Sequence, residues 1–224
     1  MNKNFIFRLI KYKRVLSQLR TLGLERVFSN NLGDATGVAA TLVRKDLARI
    51  GMHGNRRGGY NIVVMLELVN ANLGGTESRE AIVVGCGNLG RALLNNESFH
   101  RDGIELISGF DINPPAAHIG GIPVYSMEKL HEIIQTKHVK IALLTVPSSA
   151  AAEVRDRLLA NGIRGILNFT STELSSTDNC IIKNVNISLE LESLFFSVHV
   201  QAVQHGMESS QKPDTRILRE EPNP

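Results

Sequence analysis

The stretch AIVVGCGNLGRALL (residues 81–94) decides the fold. It joins a short apolar run to three glycines in the spacing Gly-x-Gly-x-x-Gly, and an apolar pattern with helical spacing follows. In a strand–turn–helix unit the first glycine permits the turn, the second lets a pyrophosphate approach the backbone, and the third lets helix and strand pack closely. The predicted phosphate-binding residues are Gly85, Cys86, Gly87, Asn88, Leu89 and Gly90.

A carboxylate follows at the distance that a dinucleotide-binding unit needs. The next apolar run, residues 104–111, ends at Asp111, 21 residues after Gly90. A carboxylate there accepts hydrogen bonds from the adenosine ribose and repels a 2′-phosphate. No arginine follows Asp111 directly. The predicted cofactor is therefore NAD(H) rather than NADP(H).

Strand and helix patterns alternate through the centre of the chain. The apolar runs and helical patterns occur in the order 81–85, 88–96, 104–111, 127–136, 139–146, 149–161 and 162–169. Strands separated by helices imply βαβ units and a parallel sheet. We therefore predict an α/β fold with a Rossmann-like, doubly wound parallel sheet.

Acid–base residues for an enzyme are missing around the predicted cofactor. The histidines fall in loops or on helix surfaces, Cys86 is a small filler within the glycine loop, and Cys180 has no activating neighbour. About 110 residues separate Gly90 from the polar tail, too few for a catalytic domain. A sensor is favoured, and a small NAD-dependent dehydrogenase stays as a remote alternative.

The net charge of +3 conceals an asymmetry along the chain. Residues 1–75 hold 12 Lys and Arg against 4 Asp and Glu, a net of +8, whereas residues 76–224 hold 13 against 18, a net of −5. Such asymmetry favours a basic N-terminal domain that binds a polyanion. A merely solvated basic face is the alternative.

The N-terminal segment predicts a helix-turn-helix. A helical pattern at residues 4–21 is followed by a short helix at 30–36, capped by Ser29, and by a helix at 39–50 that ends at Gly51. The third helix directs Leu42, Leu47 and Ile50 inward and Arg44, Lys45 and Arg49 outward. These three basic residues are the candidate DNA contacts in a major groove.

A basic β-hairpin is predicted directly after the third helix. The segment HGNRRGGYNIVV (residues 53–64) places glycine and asparagine around Arg56 and Arg57, and an apolar run follows. A hairpin beside a helix-turn-helix makes a winged helix, and Arg56 and Arg57 are its candidate contacts to the DNA backbone or minor groove.

The segment ISLELESLFFSVHVQAVQ (residues 187–204) predicts a helix with one strongly apolar face. That face comprises Ile187, Leu191, Leu194, Phe195, Val198 and Ala202. It packs either within its own chain or against a second copy. A dimer is what a palindromic DNA site requires.

These patterns set the expected domains and compartment. The domains are a winged-helix DNA-binding domain at 1–77, a Rossmann NAD(H)-binding domain at 78–187, a C-terminal dimerisation helix at 188–206 and a disordered tail at 207–224. No apolar run approaches a membrane span, and charges interrupt the N-terminus where a signal peptide is apolar. Two cysteines allow neither a disulfide framework nor a four-ligand zinc site. We expect a reduced, cytoplasmic protein without metal or membrane partners.

Taken together, these stretches resemble one family over residues 5–205. The matching segments are LVRKDLARIG, GNRRGGYNI, VVGCGNLGRAL, GFDINP, ALLTVP and GIRGILNF. They are similar to Rex, the bacterial redox-sensing transcriptional repressors. The resemblance implies a homodimer with a swapped C-terminal helix, which binds a palindromic double-stranded operator and is released by NADH. It also implies that Thr145, Pro147, Asn168 and Phe169 surround the nicotinamide half.

The chain departs from the family pattern where the switch is expected. Asn96 stands where the family often has a tyrosine near the nicotinamide, and Asn186 replaces an aspartate before the swapped helix, while Arg14 matches the arginine of the first helix. Asparagine carries no charge, so the Asp–Arg pair of the family becomes at most a neutral hydrogen bond. A Rex-like regulator that has lost NADH sensing, or answers to another adenine nucleotide, is therefore the second hypothesis.

Overall fold

The computed structural model describes residues 3–54, 58–74 and 79–210. The chain separates into two compact units, Met1–Arg79 with His100–Ile104 and Glu80–Phe99 with Glu105–Pro224. Within these described ranges, no helix combines the length and the apolar character needed to cross a membrane.

The first unit is helical with a small antiparallel sheet. Its elements are α1 (Lys3–Thr21), β1 (Arg26–Val27), α2 (Ser29–Thr36), α3 (Ala40–Arg49), β2 (Tyr60–Asn61) and α4 (Ile62–Asn72). Gly37, with a left-handed φ of 68°, ends α2, and the helix-turn-helix predicted from the sequence is confirmed. The core is formed mainly by Phe5, Leu9, Tyr12, Leu16, Leu32, Val43, Leu47, Ile62, Met65 and Val69.

Two details of the first unit differ from the sequence prediction. The run after Tyr60, predicted as a hairpin strand, begins α4 instead, because Asn61 accepts a hydrogen bond from the Val64 amide and caps the helix. Leu42, predicted to point inward, is 37% exposed, and Val43 occupies the core in its place. The hairpin tip, residues 55–57, lies outside the described residues.

The second unit contains a seven-stranded sheet. Its strands are β3 (Glu80–Val84), β4 (Glu105–Asp111), β5 (His118–Ile119), β6 (Ile122–Ser126), β7 (Ile141–Leu144), β8 (Gly165–Asn168) and β9 (Ile181–Asn184). The order is β5-β6-β4-β3-β7-β8-β9, and every pairing is parallel except that of β5 with β6. The doubly wound parallel sheet is therefore confirmed.

Helices lie between strands of this sheet and after its last strand, β9. They are α5 (Asn88–Leu94), α6 (Ser98–Arg101, of which His100 and Arg101 fall in the first unit), α7 (Leu130–Lys137), α8 (Ala151–Ala160) and α9 (Ile187–Ser210). The central strand β3 carries the apolar run that precedes the glycine-rich loop, and Ile82, Val83 and Val84 are fully buried. Because β4 and β7 flank β3 on opposite sides, the strand order reverses there, and ligands of such folds bind at that crevice.

The apolar face of α9 is uncovered. Ile187, Leu191, Leu194, Phe195 and Val198 are each at least 50% exposed. The rest of the second unit, over the residues that the structure describes, therefore does not cover this face. The helix also continues to Ser210, so residues 207–210, assigned to the tail by the sequence, are helical.

Candidate functional site

The glycine-rich loop leaves the carboxyl end of β3 through a backbone conformation that requires glycine. Gly85 has a φ of +98°, and a Cβ there would lie 2.7 Å from the carbonyl carbon and oxygen of Thr145. A Cβ on Gly90 would lie 1.9 Å from the Gly85 carbonyl oxygen. Gly85 and Gly90 are thus required for the loop itself to fold.

Gly87 differs from its two neighbours in the motif. A Cβ there would meet no atom of the described residues within 4 Å, and Gly87 is the N-cap residue of α5 without a capping side chain. Asn88 and Leu89, both exposed, begin α5. The open space beside Gly87, next to uncapped helix amides, fits a pyrophosphate.

Asp111 is held against this loop by its own hydrogen bonds. Its Oδ2 accepts from the Cys86 amide at 2.7 Å, and its Oδ1 accepts from the Asn113 amide at 2.9 Å. The half-buried carboxylate therefore stands at the carboxyl end of β4, beside the loop that follows β3. This placement fits recognition of an adenosine ribose.

Cys86 is a buried, protonated thiol. Its side chain is 2% exposed, and its Sγ lies 3.6 Å from the Phe110 carbonyl oxygen. Burial, with a smaller contribution from the Asp111 charge, raises the pKa of this thiol to about 11. It therefore fills space rather than acting as a nucleophile. In the described parts of the chain, no three His, Cys, Asp or Glu side chains gather in a metal-binding cluster.

Thr145 and Pro147 lie at the carboxyl end of β7. The Thr145 hydroxyl donates to the Gly85 carbonyl at 2.6 Å and approaches that of Val84 at 3.1 Å, which ties this end to the glycine loop. Pro147 is exposed and precedes a short 3-10 turn, Ser148–Ala150, that leads into α8. Both residues therefore lie on the opposite side of the glycine loop from Asp111.

Asn168 uses its whole hydrogen-bonding capacity within the protein. The side chain is fully buried, donates to the Thr172 carbonyl and the Asn184 amide oxygen, and accepts from the backbone and hydroxyl of Thr170. It has no donor or acceptor left for a cofactor. In this structure the Asn168 side chain therefore shapes the loop after β8, which contains the half-buried Phe169.

The helix α3 presents basic side chains outward. Arg44, Lys45 and Arg49 are exposed. Arg44 Nη1 donates to the Ser29 hydroxyl at 3.0 Å, and both residues line a groove of about 390 Å³ whose walls include Phe28 and Tyr60. The Arg49 guanidinium lies 4.4 Å from the centre of the Phe5 ring. Arg56 and Arg57 lie outside the described residues.

Sequence reasoning missed the ion pair that fixes α3. Asp46 is buried, and its carboxylate accepts from Arg8 Nε at 2.5 Å, from Arg8 Nη2 at 2.8 Å and from the Tyr12 hydroxyl at 2.9 Å. This hydrogen bonding raises the pKa of Arg8. The sequence did contain a signal for this ion pair. Asp46 is an acidic residue at helical spacing within an apolar stripe, and that stripe, formed by Val43, Leu47 and Ile50, is buried.

The three predicted switch residues each have a partner within their own unit. Arg14 Nε lies 3.8 Å from Asp102 in the same unit. Asn96 Oδ1 accepts from the backbone and hydroxyl of Ser98 at 3.0 and 2.6 Å. Asn186 Oδ1 accepts from the Leu189 amide at 3.1 Å and thereby caps the first turn of α9, a role that the sequence analysis did not foresee.

Two family models match the chain in succession. Residues 3–48 match the model described as "Putative DNA-binding protein N-terminus". Residues 76–172 match the model described as "CoA binding domain". The first match ends within α3, and the second includes the glycine loop and Asp111.

Relatives and solved structures match almost the whole chain. The redox-sensing transcriptional repressor Rex of Rhodopirellula baltica is 38% identical over 85% of this chain and 81% of its own length. The Rex of Bacillus subtilis is 35% identical over 88% of this chain and 92% of its own length. The structure of RSP with beta-NAD+ and operator DNA has a TM-score of 0.80 at 29% identity, covering 95% of this chain and 99% of RSP. The structure of RSP with beta-NADH has a TM-score of 0.76 at 30% identity and covers 92% of this chain and 98% of RSP. The chain belongs to the Rex family of redox-sensing transcriptional repressors.

Proposed function

We propose that this protein binds operator DNA as a homodimer and releases it when NADH rises relative to NAD. One observation carries the proposal: a single chain of the Rex family joins a helix-turn-helix with exposed Arg44 and Lys45 to a Rossmann unit whose loop has open space at Gly87. RSP, whose structures match 92–95% of this chain, forms complexes with beta-NAD+ and operator DNA and with beta-NADH. The protein is a regulator rather than an enzyme.

The DNA contacts that we propose lie on α3 and on the wing. Arg44, Lys45 and Arg49 would approach bases and phosphates in the major groove, and Arg56 and Arg57 would contact the backbone or minor groove. The exposure of the first three residues and the basic charge of residues 1–75 support this assignment. Binding is expected to weaken steeply with salt, because phosphate contacts release counterions.

The dinucleotide would lie across the carboxyl ends of the central strands. The pyrophosphate would approach Gly87 and the first amides of α5, and Asp111 would accept from the adenosine ribose. Thr145 and Pro147 would border the nicotinamide half, with Asn168 and Phe169 shaping the loop next to it. The nicotinamide supplies the redox signal, since NAD and NADH differ in charge and shape at that ring. The carboxylate of Asp111 disfavours the 2′-phosphate of NADP(H).

Dimerisation would bury the apolar face of α9 on a second copy. We propose functional domains at 1–77 and 78–187 and a dimerisation helix that begins at residue 188 and ends with α9 at Ser210. We also propose a location in the cytoplasm, where the NADH/NAD ratio and the DNA are both present. NADH would favour one arrangement of the dimer and the operator another. A ligand shifts such a balance only by its different affinities for the two arrangements.

Fluorescence anisotropy tests the proposal. A labelled palindromic duplex, selected by this protein from a random pool, is titrated with the protein at one stated salt concentration, and NADH is then added against a fixed excess of NAD. We expect the anisotropy to fall as NADH rises. Failure to bind the selected duplex more tightly than a scrambled one would contradict the repressor.

The neutral side chains of Asn96 and Asn186 favour one second candidate. Both amides bond to their own backbone segments and carry no charge for an ion pair. A regulator that binds the operator but ignores NADH would retain tight DNA binding at every NADH/NAD ratio. The same titration with AMP, ADP and ATP then identifies any other adenine nucleotide that releases the DNA.

A further inference from the structure

Ser29 does not do what its sequence position predicts. The N-cap of α2 is Phe28, whose side chain makes no capping hydrogen bond. Ser29 is the first residue inside the helix, and its hydroxyl accepts a hydrogen bond from Arg44, fifteen residues along the chain on α3. A serine at the N-cap would stabilise α2. The hydroxyl instead binds an arginine that faces solvent.

We propose that Ser29 is a positioning residue for operator recognition, which holds the Arg44 guanidinium in the orientation that contacts DNA. The inference rests on the proposed function and deepens it. Ser29 and Arg44 share the groove that includes Phe28 and Tyr60, so the guanidinium lies at the junction of α2, α3 and β2. The bond from Ser29 selects one direction for a side chain that is otherwise exposed.

The chemistry of arginine explains why such a bond is useful. A guanidinium has five N–H donors, so the single bond from Nη1 to Ser29 leaves the edge formed by Nε and Nη2 for a base in the major groove. Arginine has a long side chain and loses conformational entropy when DNA fixes it. An arginine that is already held by a hydrogen bond loses less conformational entropy on binding, and this increases the affinity without a new contact to DNA.

A double-mutant cycle on the full-length dimer tests the inference. The variants are Ser29→Ala, Ser29→Thr, Arg44→Ala and the double variant, and Ser17→Ala is the control because Ser17 is an exposed serine on α1 of the same unit. Affinity is measured by anisotropy on the selected palindromic duplex and on its scrambled counterpart, at one salt concentration. Thermal unfolding of each variant is measured in parallel.

The expected change in DNA affinity depends on both Ser29 and Arg44. Ser29→Ala should weaken binding to the selected duplex about 3- to 10-fold, as expected for one lost hydrogen bond, with an unchanged unfolding temperature. Ser29→Thr should restore the affinity, and Ser17→Ala should leave it unchanged. In the Arg44→Ala background, Ser29→Ala should have no further effect.

Three results would overturn the inference. These are an unchanged affinity of Ser29→Ala, an equal loss on both duplexes, or an undiminished loss in the Arg44→Ala background. These results differ from those that would contradict the proposed function. If the proposed function is wrong, the wild-type protein itself would not prefer the selected duplex, or would hold it at every NADH/NAD ratio.

Discussion

Arg8 on α1 and Asp46 on α3 form a two-point ion pair, with Nε and Nη2 of the guanidinium at 2.5 and 2.8 Å from the two carboxylate oxygens. The Asp46 side chain is 5% exposed and that of Arg8 is 22% exposed. Asp46 immediately follows the exposed Lys45. The pair therefore fixes the rotation of α3 on α1 and thereby the direction in which Arg44 and Lys45 point.

Replacing Arg8 by methionine should destabilise the first unit by about 3–5 kcal/mol, because the buried Asp46 carboxylate would lose its counter-charge. Methionine retains an apolar side chain beside Phe5, so the loss reports mainly on the charge. Urea unfolding measures the change. Arg20→Met, an exposed arginine on the same helix, should shift stability by no more than about 0.5 kcal/mol. Equal losses in the two variants would contradict the role of the pair.

Stability should also decrease at alkaline pH through Tyr12. Burial first, and then its hydrogen bond to Asp46, raise the pKa of this phenol well above its usual value. The unfolded chain therefore loses the Tyr12 proton near pH 10 while the folded chain keeps it. The stabilisation is complete below about pH 10 and is lost as pH rises, by about 1.4 kcal/mol per pH unit.

The comparison of wild type with Tyr12→Phe isolates this effect, because the other titrating groups are shared. Unfolding free energies are measured from pH 8 to 11. The wild-type curve should fall relative to that of Tyr12→Phe above about pH 10. Parallel curves over the whole range would show that Tyr12 titrates alike in the folded and unfolded states.

Two glycines of the phosphate loop should respond differently to alanine. Gly87→Ala should leave the unfolding temperature unchanged, because no atom in the described part of the chain lies within 4 Å of the added Cβ, yet the methyl group should obstruct the space proposed for the pyrophosphate. Gly90→Ala should destabilise the second unit, since its Cβ would overlap the Gly85 carbonyl oxygen. Thermal unfolding measures the loss of stability in each variant, and NADH titration by fluorescence measures the loss of cofactor binding. Undiminished NADH binding by Gly87→Ala would place the cofactor elsewhere.

The features that the sequence predicted well depend on local chemistry. Gly85 needs a left-handed backbone and Gly90 a close approach, and both requirements follow from a strand–turn–helix of fixed geometry. Asp111 follows from the same geometry, because parallel neighbouring strands end at one edge of the sheet. The spacing of the residues was therefore sufficient to place them.

The features that the sequence missed depend on partners far along the chain. The hydroxyl of Ser29 forms its hydrogen bond with Arg44 rather than with its own helix. The side-chain amide of Asn168 donates to Asn184, which lies on the neighbouring strand β9. The apolar run after Asn61 fits either a strand or a helix, and the choice followed from the cap at Asn61 and the burial of Met65. Local pattern does not contain these contacts.

The exposed apolar face of α9 predicts where two copies of the chain meet. Leu191 and Phe195 are one helical turn apart and are 50% and 69% exposed. Replacing both by glutamate should abolish the dimer, because two charges on a buried apolar interface would lack partners. Light scattering coupled to gel filtration measures the mass, and Glu192→Gln, a change that keeps the helix and adds no charge, is the control. Operator affinity should fall with the dimer, since a monomer contacts one half-site of the palindrome. A doubly substituted protein that stays dimeric would show that another surface holds the two copies together.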